Sequence, residues 1–325
     1  MTSYDPQRVG CRDGWWKHDG NPVLGGEGGF YFDNHVVKVD GTYRMFFSWR
    51  DHYSIALSES TDGITWSEPL IVLPPRPESG WEEDINRPTI DYRDGIYHMW
   101  YSGQTSGASY TSDDYTEVYL EASQNSTGTS AIGYATSADG ITWERRAEPV
   151  LRPEHPWEQN SLMCPTVLWD DSANLYRLWY SGGGWFEPDD IGAATSPDGI
   201  NWTKVSDQPI FAGDPDVLWE KARVAGAQVI HLDDWYYMFY IGYEDLFKAR
   251  ICIARSKDGV SHWQRHPKNP IISAGLPGSW ECESIYKPFV RYDEQDDKWT
   301  MWYNARSGTT EQIGVAFRRG RDLGF

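Results

Sequence analysis

The sequence predicts an all-β fold, a five-bladed β-propeller closed by its own N-terminal strand, and three observations carry that expectation. An Asp-Gly turn followed by Trp recurs along the chain, an aromatic strand recurs five times, and the last unit stops one strand short. Self-similarity at a period of tens of residues marks repeat architectures, and repeated four-stranded units arranged radially make a propeller.

The turn reads Asp62-Gly63-Ile64-Thr65-Trp66, Asp139-Gly140-Ile141-Thr142-Trp143 and Asp198-Gly199-Ile200-Asn201-Trp202, with a stretched copy at Asp258-Gly259 and Trp263. Asp-Gly between alternating segments is a hairpin signal. An alternating strand runs just upstream, as in Ile132-Gly133-Tyr134-Ala135 and Ile191-Gly192-Ala193-Ala194, and reappears at Ile313-Gly314-Val315-Ala316. The aromatic strands begin at Tyr43, Tyr97, Tyr176, Tyr236 and Trp299. A short apolar strand precedes each, such as Pro88-Thr89-Ile90 or Pro165-Thr166-Val167. Together these give four strands per unit and a single domain over residues 1–325.

The fifth unit runs out after its third strand at Phe325. The N-terminal segment from Trp16 to Leu24 resembles the fourth strand of the other units, so residues 14–24 are expected to complete the last blade and remove an exposed edge. The polar stretch from Gln104 to Ser130 is expected to be a long loop over one face, a common form for a lid or binding loop.

Composition narrows the partners. The chain is 39% hydrophobic and 15% aromatic, rich in surfaces that stack, and its formal net charge is −19. That charge argues against nucleic acid or an anionic membrane as partner. The N-terminus lacks the basic-then-apolar pattern of a signal peptide and no stretch has the length of a membrane span, which leads to the expectation of a cytoplasmic protein. Cys11, Cys164, Cys252 and Cys282 form no CxxC pair and read as buried thiols, and no cofactor or metal is expected.

Five blades give five versions of each position, so residues common to all are architectural. Trp-Glu opens four units at Trp81-Glu82, Trp157-Glu158, Trp219-Glu220 and Trp280-Glu281, with Glu27 at the matching place in the first. These glutamates are expected to be structural, holding turn amides. Residues that differ between blades on the segment entering the innermost strand are the candidates for function. Immediately before Asn34, Pro88, Pro165, Ala227 and Pro288 stand Asp33, Arg87, Cys164, Gly226 and Lys287. A few positions upstream, the second blade adds Glu83 and Asp84, the fourth Arg223 and the fifth Glu283.

These residues predict a central pocket in which Asp33, Glu83 and Glu283 are the catalytic candidates. Asp84, Arg87, Arg223, Lys287, His35, Trp49, His52, Trp185 and Tyr286 are expected to bind substrate. Two carboxyls facing across a glycosidic bond are what its acid–base cleavage needs, and Trp and Tyr faces receive the apolar sides of sugar rings. The alternative is that the charges pair off as salt bridges around a water-filled channel.

With its repeated strands, Ser-x-Asp-Gly-x-x-Trp turns and closing N-terminal strand, the whole chain resembles the five-bladed propeller glycosidases, glycoside hydrolase families 43, 32 and 130. The resemblance implies a glycosidase acting on a small carbohydrate, with Asp33 at the place of the first-blade base or nucleophile. It also implies an Asp in the second blade, where this chain has Arg87, and an acid Glu before the third inner strand, where it reads Leu162-Met163-Cys164-Pro165. A glycoside phosphorylase, as in family 130, and a non-catalytic glycan-binding or repurposed propeller are the alternative readings.

Overall fold

A computed structural model describes residues 8–26, 29–105, 117, 120, 121 and 127–325. Glu27 and most of the expected 104–130 loop lie outside the described residues. Among the described residues twenty strands are laid out as five radial units. The first blade is β2 (Tyr31–Val39), β3 (Thr42–Trp49), β4 (Ser54–Ser60) and β5 (Leu70–Leu73), and the second is β6 (Asp84–Arg93), β7 (Ile96–Gln104), β8 (Ser130–Ser137) and β9 (Glu144–Arg145). The third is β10 (Ser161–Asp170), β11 (Leu175–Gly183), β12 (Pro188–Ser196) and β13 (Thr203–Lys204), and the fourth is β14 (Arg223–Leu232), β15 (Trp235–Tyr243), β16 (Ala249–Ser256) and β17 (Gln264–Arg265). The fifth is β18 (Ser284–Asp293), β19 (Lys298–Ser307) and β20 (Thr310–Arg319), with β1 (Trp16–Lys17) as its outer strand.

Within each blade neighbouring strands are antiparallel, and a single parallel bridge between Ser130 and Ser161 joins the second and third blades into one sheet. The termini meet where Trp16 pairs with Phe317 and Lys17 with Ala316, and the Val23 N–H donates to the Ile313 carbonyl at 2.8 Å. Consecutive inner strands touch around the ring, including β18 against β2.

The core is divided among the blade interfaces. Phe46, Leu57, Ile85 and Met99 fill the gap between the first two blades, and Val36, Met45, Trp302 and Val315 that between the first and the fifth. Tryptophans on second strands staple neighbours together: Trp100 donates to the Gly199 carbonyl at 2.7 Å, Trp179 to Gly259 at 2.8 Å and Trp302 to Gly63 at 2.8 Å. The Asp-Gly turns are shaped to present those carbonyls. In each, the Asp Oδ1 accepts the N–H groups two and three residues on, at 2.8 and 2.7 Å from Ile64 and Thr65 to Asp62, and Gly63 sits at a left-handed φ of 75°.

The Trp-Glu glutamates are buried nodes of a repeated ion pair. Glu82, Glu158, Glu220 and Glu281 accept hydroxyls from Tyr101, Tyr180, Tyr240 and Tyr303 on the second strands. Each also meets a cation from its blade's outermost strand: Arg145, Lys204, Arg265 and Lys17 respectively. The expected turn-amide role is seen at Glu158, which accepts the N–H groups of Glu154 and His155 at 2.6 and 2.9 Å.

Candidate functional site

The site is built by one device used five times. Each inner strand slips register against its partner at a single place, between Phe32 and His35, Asn86 and Thr89, Met163 and Thr166, Ala225 and Gln228, and Tyr286 and Phe289. At these bulges Asp33, Arg87, Cys164, Gly226 and Lys287 take left-handed φ values of 54, 56, 54, 56 and 47°. Side-chain-bearing residues rarely adopt that conformation, and bulges re-aim side chains beside functional sites. An oxygen on the second strand of the preceding blade secures four of the five: Asn304 Oδ1 accepts the Asp33 N–H at 2.9 Å, and Ser48, Ser102 and Ser181 hydroxyls accept those of Arg87, Cys164 and Gly226 at 2.8, 3.1 and 2.9 Å. In the fourth blade that position is Ile241, so no such clip reaches Lys287.

Above this ring opens a cavity of about 350 Å³ with walls from every blade. Asp33 and Arg87 are part of its lining, with Cys164 beside them and Phe32 and Phe30 leading to the rim. Arg50 and Tyr53 follow β3, and Gln104 ends β7. Trp185, Phe186 and Glu187 come from the β11–β12 connection, Tyr243 from β15, Tyr286 from β18 and Glu311 from β20. Apolar rings therefore enclose three carboxyls and two guanidiniums, the composition of a site that orients a polar ligand within an apolar cleft.

Arg87 Nε stands 3.3 Å from Asp33 Oδ2, and its Nη1 donates to Asn86 Oδ1 at 2.7 Å and Gln104 Oε1 at 3.1 Å. Arg50 lies over the Phe32 ring at 4.8 Å and pairs with Asp84 at 3.3 Å. Burial raises the carboxyl of Asp33 above its ordinary value, opposed by Arg87, Lys287 and Arg50 and reinforced by Glu187. Glu311 is also raised by burial, against a hydrogen bond from Tyr286 and the charges of Arg306 and Arg50, with Asp33 adding to the rise. Burial likewise pushes the Cys164 thiol up, which makes it a poor nucleophile. The Tyr243 hydroxyl donates to Glu187 Oε2 at 3.3 Å. Among the described residues no group of three or more His, Cys, Asp or Glu is arranged to hold a metal ion.

Of the residues singled out in the sequence, Asp33, Arg87, Trp185 and Tyr286 line this cavity. Asp84 stands behind Arg50 as its ion-pair partner. Arg223 lies at the edge, over the Tyr243 ring at 6.0 Å and donating to the Glu187 carbonyl at 3.3 Å. Lys287 is buried behind the lining. The two catalytic candidates beside Asp33 fall elsewhere. Glu283 is exposed, 3.5 Å from Arg306, and Glu83 is half-buried outside the cavity, because both precede the strands whose bulges turn inward. His35 packs on Phe289 at 4.2 Å in the layer beneath, with its pKa lowered to about 3 by burial, so it is a neutral core residue. Trp49 stacks on Tyr31 at 5.6 Å and meets His52 edge-on at 4.2 Å, and neither Trp49 nor His52 lines the cavity.

Glu187, Glu311, Arg50, Tyr53 and Gln104 were not among those candidates, since they lie on connections and strand ends rather than on inner strands. A signal for two of them is present. Two residues before the first Ile of each third strand stand Tyr53, Ser130, Asp189, Ala249 and Glu311, a blade-specific series whose first and last members reach the cavity.

The family model described as glycosyl hydrolases family 43 matches residues 20–320. A 1,2-beta-oligomannan phosphorylase of Thermoanaerobacter sp. (strain X514) is 28% identical over 243 residues, covering 72% of this chain and 69% of that protein. A beta-1,2-mannobiose phosphorylase of the same organism is 29% identical over 137 residues, 37% of this chain and 43% of its own. Among solved structures, a thermostable family-43 glycoside hydrolase superimposes with a TM-score of 0.69 at 18% identity, covering 91% of both chains.

Proposed function

We infer the reaction from one premise: the chain belongs to glycosyl hydrolases family 43. It is a glycoside hydrolase-type enzyme on a propeller scaffold, and its substrate class is carbohydrate. The reading we favour is cleavage of a glycosidic bond in a short saccharide held in the central cavity. Asp33 serves as the carboxylate that acts on the anomeric side, and Glu311 as the proton donor to the leaving oxygen. The observation that carries it is the pairing of two buried carboxyls with unlike neighbours: Asp33 has Arg87 at 3.3 Å, while Glu311 takes a hydrogen bond from Tyr286. Asp33 adds to the rise at Glu311, so the arrangement favours the charge on Asp33, beside the guanidinium, and the proton on Glu311. A neutral acid beside an ionised base is the arrangement that glycoside cleavage needs.

Glu311 thus takes the role that the familiar pattern gives to a third-blade Glu, where this chain has Cys164. Trp185, Phe186 and Tyr243 supply ring faces for the sugar. A panel of aryl glycosides and short oligosaccharides, with Asp33→Asn, Glu311→Gln and Glu187→Gln, tests the assignment. Turnover should fall by about a hundredfold or more for the first two. Unchanged rates in both would remove them from the chemistry, and ligand binding without product from the unaltered protein would favour a binding role.

Phosphorolysis is the second reading. It is favoured by Arg87 in place of the second-blade carboxylate, with Arg50 as a further cationic wall, and by relatives named as phosphorylases. Guanidiniums suit a phosphate nucleophile. A sugar 1-phosphate product that forms only with inorganic phosphate would establish it, whereas release of free sugar in phosphate-free buffer would support hydrolysis.

A further inference from the structure

Lys287 is only 5% exposed, and among the described residues its ammonium makes no hydrogen bond or ion pair. A largely buried cation without an ion-pair partner in contact calls for a compensating negative charge nearby. Three features show where that charge is used. It sits at the fifth-blade bulge, the position equivalent to Asp33 and Arg87, so the fold aims all three toward the axis. The fourth blade leaves room for it, because Gly226 carries no side chain and a Cβ there would lie 3.5 Å from Lys287 Cδ. His35, also within its field, is held neutral, so it adds no second positive charge.

We propose that Lys287 is a positioning residue for Asp33: with Arg87 it flanks the carboxylate, keeps it charged in a desolvated site and holds it for reaction without touching substrate. The usual second-blade carboxylate is replaced here by two cations, one on each side of the first blade. The proposal rests on the reading of Asp33 as the reactive carboxylate. The charges that face Asp33 come from several elements: Arg87 on β6, Arg50 after β3, Glu187 on the β11–β12 connection, Lys287 on β18 and Glu311 on β20. The Cys164 thiol on β10 shares the same neighbours. Lys287 joins Arg87 and Arg50 in offsetting the repulsion that Glu187 exerts on the Asp33 carboxylate.

The test is a carbon-13 NMR titration of aspartate-labelled protein, with the Asp33 signal assigned by its loss in Asp33→Asn. In Lys287→Met the Asp33 midpoint should rise by about one pH unit or more, the size expected for losing a nearby opposite charge. Lys287→Arg should return it close to the native value, and the distant Asp170 should not move in either variant. An Asp33 midpoint unmoved in folded Lys287→Met, or moved as far by Lys287→Arg, overturns the proposal. If Lys287→Met does not fold, Lys287→Gln takes its place, and failure of both to fold would assign the lysine to architecture instead. Because the readout is a titration and not turnover, it is distinct from the mechanistic reading, which fails if Asp33→Asn retains activity.

Discussion

Asp33 and Arg87 occupy the same bulge position in neighbouring blades, and their side chains meet at 3.3 Å with 5% and 10% exposure. A salt bridge this buried adds little net stability as a pair, because both ions have lost their water, but removing one member strands the other. Arg87→Met should therefore lower the unfolding free energy by about 3 kcal/mol at neutral pH. The double variant Asp33→Asn/Arg87→Met should recover much of that loss. Urea unfolding of the four proteins measures both, and a double variant no better than Arg87→Met would show that the arginine acts through packing instead.

Glu311 makes a prediction of opposite pH sign to an ordinary salt-bridged acid. Burial raises its folded-state pKa above the ordinary value of 4.5, so the unfolded chain gives up that proton first. Across the interval from 4.5 up to the folded pKa the native state binds more protons, and stability attributable to this group falls as pH rises. Glu311→Gln should be close to native in stability at pH 4 and increasingly more stable relative to native as pH rises through the folded-state pKa of Glu311, with no further change above it. A stability difference that does not change with pH would mean that Glu311 ionises as freely in the folded protein as in the unfolded chain.

Closure of the ring depends on a small contact at the N-terminus. Lys17 Nζ reaches Glu281 Oε1 at 2.7 Å, both side chains under 10% exposed, while Tyr303 donates to the other oxygen at 2.9 Å. Lys17→Met leaves Glu281 buried without its cation and should destabilise by about 3 kcal/mol. The loss should appear first as faster amide exchange in β1 and β20, because this blade alone takes its outer strand from the other end of the chain. Equal acceleration in all five blades would instead indicate that the ring opens as one unit.

The repeats made the fold legible, and the same repeats set the limit on the site. The aromatic strands and Asp-Gly turns recur because each blade buries one face against the next, so the period of the packing is the period of the sequence. Asp33 and Arg87 could be found because they break that repetition on the inner strand. Glu83 and Glu283 break it too, yet they precede the bulge and point away from the cavity, a difference of a few residues that only the left-handed backbone decides. Glu187 escaped because it lies on a connection between strands, and Glu311 because it stands at the start of a third strand and not on the inner strand where the repeats were compared. Trp49 and His52 look like ligand-facing residues in a string of letters, but their rings are consumed by one another and by Tyr31.

The bulge clips yield a prediction about how the site is held open. Ser102 Oγ accepts the Cys164 N–H at 3.1 Å in a fully buried place, with the serine on the second blade and the cysteine on the third. Ser102→Ala removes a single oxygen and leaves a backbone donor without an acceptor, a loss of about 1–3 kcal/mol for a buried group. Bulge geometry at Cys164 sets one wall of the cavity, so saccharide affinity should weaken together with stability. Ser58 offers an internal control: it is equally buried, but among the described residues its hydroxyl makes no hydrogen bond, and Ser58→Ala should be nearly neutral in both respects. Thermal unfolding with a ligand titration on the two variants separates these outcomes. Equal effects from both would mean that the lost oxygen, and not the lost clip to the bulge, is what the protein feels.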